Sequence, residues 1–79
     1  LHVGRGHALH ALDRLHEAAQ AFRAAIAVGA RTADAFNRLG VVLFQAGDVR
    51  GARHSFERAL VLQPGHDDAQ ANLASLPAA

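Results

Sequence analysis

The chain has 79 residues, a hydrophobic share of 51% supplied largely by alanine, a formal net charge of +1 and no cysteine. That length holds one small domain or part of one, and without cysteine there is no disulfide framework, thiolate metal site or cysteine nucleophile. The basic residues are all arginines, interspersed with acidic ones, so the concentrated basic face of a nucleic-acid or membrane-surface binder is missing.

No apolar run is long enough to cross a bilayer, and no secretory signal is visible in these residues. The chain opens on Leu1 rather than methionine, which is what a fragment, a processed product or a chain trimmed of a tag would show. The compartment is left open, with the cytoplasm as the default.

In chain order, the first predicted helix covers 1–12. Its stripe of Val3, Leu9 and Leu12 is thin, and Gly4 and Gly6 each cost about 1 kcal/mol of helix propensity, so a frayed first turn is expected. A second helix is predicted over 14–28, with Leu15, Ala18, Phe22, Ala25 and Ile26 as its apolar positions. Gly29 and Thr32 then connect to the next element, and Thr32 suits a helix N-cap.

Over 33–46, Phe36, Leu39, Val42 and Leu43 recur at three- and four-residue steps and form one helical stripe. Gly47-Asp48 interrupts it, the glycine suited to ending a helix and the aspartate to capping the next. Val49, Ala52, Phe56, Ala59 and Leu60 make a second stripe over 49–62, closed by Pro64-Gly65. Helices joined by so short a turn lie antiparallel. Gly40, Ala52 and Ala59 let the backbones approach while Phe56 fills the space beside them. A large side chain at Gly40 or Ala52 is expected to overpack the pair by about 1–3 kcal/mol; the alternative is a mid-helix glycine that costs propensity alone.

The last helix is predicted over 67–76, with Asp67 and Asp68 serving as caps and meeting the helix dipole. It carries Ala69, Leu73 and Leu76 on one side and Gln70, Asn72 and Ser75 elsewhere, as a helix covering the end of a stack requires.

These elements repeat. A shift of 34 residues lays Gly6, Leu9, Ala18, Phe22 and Ala25 on Gly40, Leu43, Ala52, Phe56 and Ala59. The central unit reads Phe36-x₂-Leu39-Gly40-x₂-Leu43, then Ala52-x₃-Phe56-x₂-Ala59-x₄-Pro64, and so resembles one complete tetratricopeptide repeat. The resemblance implies an all-α, right-handed superhelical solenoid of antiparallel helix pairs over 1–79: a partial first repeat (1–30), a complete second one (33–64) and a capping helix (67–76). The first copy departs from the pattern with His2 for the opening aromatic, Arg5 for Leu39 and Ala30 for Pro64.

The resemblance also implies a function: a protein or peptide partner laid along the concave wall formed by the first helix of each repeat. The wall positions that follow are His7, His10, Asn37, Arg38, Val41, Phe44, Gln45 and Asn72. Phe44 lies off the stripe of its helix and would be a peptide anchor, unless it packs against Leu73 or Leu76. Asn37 and Arg38 could bond a peptide backbone or carboxylate, or simply form a solvated face. The family's carboxylate clamp is not carried over, because Val41 stands where it needs asparagine and lysine is absent.

His7 and His10 share a helix face, but two imidazoles without a third ligand make a weak metal site; no metal or cofactor is expected. Ser55, Ser75 and Thr32 have no base at a revealing spacing, and Gly4-x-Gly6 is too short for a dinucleotide fingerprint, so the chain is not expected to be an enzyme. The alternatives are a self-associating module joined through exposed repeat ends, or a segment of a larger enzyme or multidomain protein.

Overall fold

The computed structural model describes the backbone of residues 2–77 and the side chains of residues 12–77. Among the described residues there are four helices and no strand: α1 (His2–Ala27), α2 (Ala33–Gln45), α3 (Val49–Leu62) and α4 (Asp67–Ser75).

The boundaries of α2 and α3 follow from local chemistry. The Thr32 side chain accepts a hydrogen bond from the Ala35 amide at 3.2 Å and opens α2. Gly47, at φ +90°, takes the left-handed conformation that ends it. Asp48 Oδ1 accepts from the Gly51 amide at 2.9 Å and opens α3. At α4 the expectation needs correcting, since the cap is His66 and not an aspartate. Its Nδ1 accepts from the Ala69 amide at 3.0 Å, while Asp67 and Asp68 lie in the first turn, where their charge faces the helix dipole.

A larger correction concerns the start of the chain. Separate helices over 1–12 and 14–28 were expected, but α1 runs unbroken for 26 residues. The 34-residue register explains it. Asp13 stands where Gly47 supplies the left-handed turn, and Arg14 stands where Asp48 supplies the cap. With neither device present, the helix has no reason to stop. The first repeat is therefore one rod in place of a hairpin.

The core lies where α2 crosses α3. Phe56 is 2% exposed, and Ala52 and Ala59 are fully buried. A Cβ on Gly40 would stand 2.5 Å from Phe56 Cε1, closer than side-chain contacts allow, so glycine is needed for the ring to lie against the α2 backbone. Ala19, Leu39, Leu43, Ala52 and Phe56 form one buried cluster, and Ala33, Phe36, Ala59 and Ala69 a second, with Ile26 packed against both. α1 lies on α2, α2 on α3 and α3 on α4, with α4 also touching α2. The shortest dimension is 18 Å, that of a slab two helices thick.

Candidate functional site

Along the line where α2 meets α4, a half-open hollow of about 220 Å³ is lined by Val41, Phe44 and Gln45 of α2, Phe56 of α3, Asn72 and Ser75 of α4, and Leu76, which caps α4. Phe44 remains 45% exposed at its edge. The ring of Phe56 reaches it from the core, so the hollow is continuous with the packed interior. Every lining side chain is uncharged, and Gln45, Asn72 and Ser75 supply its polar groups.

Four of the wall positions read from the sequence thus converge here: Val41, Phe44, Gln45 and Asn72. Val41 is half-buried and packs against the core as well as lining the hollow. Arg38 is exposed on α2, one turn before Val41, and does not line the hollow. Asn37 is placed differently from expectation. It is buried, and its Oδ1 accepts from Asn72 Nδ2 at 2.9 Å, which ties α2 to α4 instead of offering that oxygen to a ligand. The side chains of His7 and His10 lie outside the described residues. Their backbone lies within the N-terminal part of α1.

The N-terminus of α4 is also tied to α2 by a pair the sequence did not announce. His66 is buried, with Nε2 2.7 Å from Asp34 Oδ1 and Nδ1 accepting from the Ala69 amide. Because an amide can only donate, Nδ1 is the acceptor and the ring N–H at Nε2 donates its hydrogen bond to the Asp34 carboxylate. The pairing looks like a base and its orienting acid. Both ring nitrogens are occupied, however, so neither is free to take a proton from a nucleophile. Ser75 is exposed, and its hydroxyl donates to the Asn72 carbonyl of its own helix at 2.9 Å. The two aspartates beside His66 drew attention to themselves as caps, and the one available signal was its place three residues before Ala69.

A second hollow, of about 250 Å³, was also not anticipated. It lies between α1 and the α2–α3 turn, lined by His16, Ala19, Gln20 and Arg23 on one side and Leu43, Ala46 and Asp48 on the other. Among the described residues, no group of three or more histidines and carboxylates is placed to hold a metal ion, and no helix is long and apolar enough to cross a membrane.

A close-packed helical hairpin, continued on one side by α4 and on the other by α1, defines an all-α helical-repeat solenoid. The family model described as tetratricopeptide repeat matches residues 3–67 and, in a second placement, 43–76, and the chain belongs to that family. Its members generally mediate protein–protein interaction. Neither the curated proteins nor the solved structures give a match.

Proposed function

We propose that this chain is a non-catalytic binding module that takes a peptide segment of a partner protein along the α2–α4 wall, with one large apolar side chain of the partner seated beside Phe44. The observation that carries this reading is the hollow itself, in which an exposed aromatic ring stands next to uncharged hydrogen-bonding groups over a hydrophobic floor. An apolar cavity of about 150 Å³ is enough to take up benzene, so 220 Å³ has room for a leucine or phenylalanine side chain. Gln45, Asn72 and Ser75 are suited to the amides and carbonyls of the segment on either side of that anchor. With no charged side chain in the lining, affinity should depend little on salt, and an acidic terminus is not what the site selects.

Short uncharged peptides, each carrying one leucine, phenylalanine or alanine between polar residues, provide the test when titrated into labelled protein and followed by amide chemical shifts. Leucine and phenylalanine peptides should perturb Gln45, Asn72 and Ser75, and alanine peptides should not. Phe44→Ala should weaken binding about tenfold, the loss expected of a central anchor worth more than 1 kcal/mol. Binding unaffected by Phe44→Ala, or shifts confined to another face, would remove the assignment.

A further inference from the structure

The junction of α1 with α2 recurs, 34 residues on, as the junction of α3 with α4. Thr32 caps α2 through the Ala35 amide, and His66 caps α4 through the Ala69 amide. Ile26 and Leu60 hold the same register and pack on the same buried cluster. One pair of facing positions differs. Where the second junction has Arg53 and Pro77, the first has Ala19 and Leu43. Half-buried Arg53 donates from its guanidinium to the Pro77 carbonyl at 2.8 Å, just past the end of α4. Ala19 has no such arm, and the hollow of about 250 Å³ stands beside it.

In the repeat register, this hollow corresponds to the space that an arginine enters one repeat later. Its floor of Ala19 and Leu43 is buried and apolar, and suits the methylene stem of such a side chain. The acceptor differs from the one Arg53 finds, because the Leu43 carbonyl already accepts from the Asp48 amide at 2.8 Å. In its place the hollow offers the Asp48 carboxylate, which gives Oδ1 to the Gly51 amide and has acceptor sites left. α2 also ends here with no basic residue in its last turn, so the partial negative charge of its C-terminus is not met from within the helix. Arg23 on the α1 side is the one arginine in the lining, and it makes no ion pair with Asp48.

We infer that this hollow takes an arginine side chain of a partner protein, its stem on Ala19 and Leu43 and its guanidinium on the Asp48 carboxylate and the Gln20 side-chain carbonyl. A guanidinium presents a planar fork that matches a carboxylate. Since about 150 Å³ is enough for benzene, a hollow of 250 Å³ admits the guanidinium together with its stem. Leu43 and Ala46 face the other side of α2 from Val41, Phe44 and Gln45. The site is therefore separate from the α2–α4 hollow and stands or falls independently of it.

Acetylated, amidated peptides of glycine and serine with one central arginine, citrulline or glutamate, titrated to millimolar concentration into labelled protein, provide the test. The arginine peptide should shift the amides of Gln20, Ala46 and Asp48, and salt should weaken its binding. Citrulline, which keeps the shape and loses the charge, should leave those amides in place. Asp48→Asn retains a side chain that caps α3 as well as aspartate does, and should weaken arginine binding about tenfold through loss of a charge-assisted hydrogen bond. Arg23→Gln leaves that cap untouched and should strengthen binding, because a like charge leaves the rim; this readout holds even if Asp48→Asn fails to fold. Absence of shifts with arginine, shifts confined to the α2–α4 face, or equal binding of citrulline overturns the proposal. So does preferential binding of the glutamate peptide, or an arginine affinity that Arg23→Gln lowers or leaves unchanged.

Discussion

Gly40 shows how much of this fold rests on one missing methyl group. Its backbone meets the face of Phe56, and the nearest three ring carbons all lie within 2.9 Å of where a Cβ would be. Gly40→Ala should destabilise the protein by about 1–3 kcal/mol through overpacking, even though alanine is the better helix former by about 1 kcal/mol. Steric conflict outweighs propensity, and urea unfolding checks the sign. In a Phe56→Leu background the same change should cost less, and a double-mutant cycle would isolate that coupling. This contact was legible in the sequence, because a glycine and a phenylalanine at matched positions recur one repeat apart. Asn37 was not. Position on a helix face placed it on the wall, but only the arrival of α4, which no pattern in α2 foretells, turned it into a buried partner of Asn72.

Among the elements, α4 is the one held by few interactions. It has 9 residues, too few for a stable helix on its own, and is attached through Ala69 in the core, the Asn37–Asn72 bond, the Arg53 guanidinium donating to the Pro77 carbonyl at 2.8 Å, and the His66 cap. Of the two bonds made by His66, the one to Asp34 reaches an exposed carboxylate and should contribute under about 1 kcal/mol. The cap is worth about 0.5–2 kcal/mol. His66→Ala should therefore destabilise the protein more than Asp34→Ala, and His66→Asn should recover most of the loss. Amide exchange at Gln70 and Leu73 should quicken in His66→Ala ahead of exchange in α3. The extent of α4 could be read in advance from its apolar positions and Pro77, whereas its cap could not, since histidine is a rare choice beside two aspartates.

For the molecule as a whole, the helical class, the hairpin at 33–62 and the small-residue crossing could all be read from periodicity and the 34-residue self-match. The path of the first repeat could not be read from those two signals, because core positions repeat faithfully there while the turn residues do not. Asp13 and Arg14 carried that information, and they do so by lacking what Gly47 and Asp48 have. Helices that touch mainly their neighbours in sequence give a low contact order, so folding should be fast for the chain's size.

The connection from α1 to α2 has one further effect, on how the chain can be cut. Residues 27–32 are all exposed, Val28 to 87%, with Gly29 at φ +126° and Arg31 at the surface just before the Thr32 cap. Arg14 and Arg23 are also exposed, but they lie inside α1, where helical backbone does not fit a protease cleft. Brief trypsin treatment should therefore sever the bond after Arg31 first, giving masses for 1–31 and 32–79. The new terminus would still be Thr32, able to cap α2. The two pieces, joined by Ala19 and Ile26 against the core, should then migrate together until denaturant parts them.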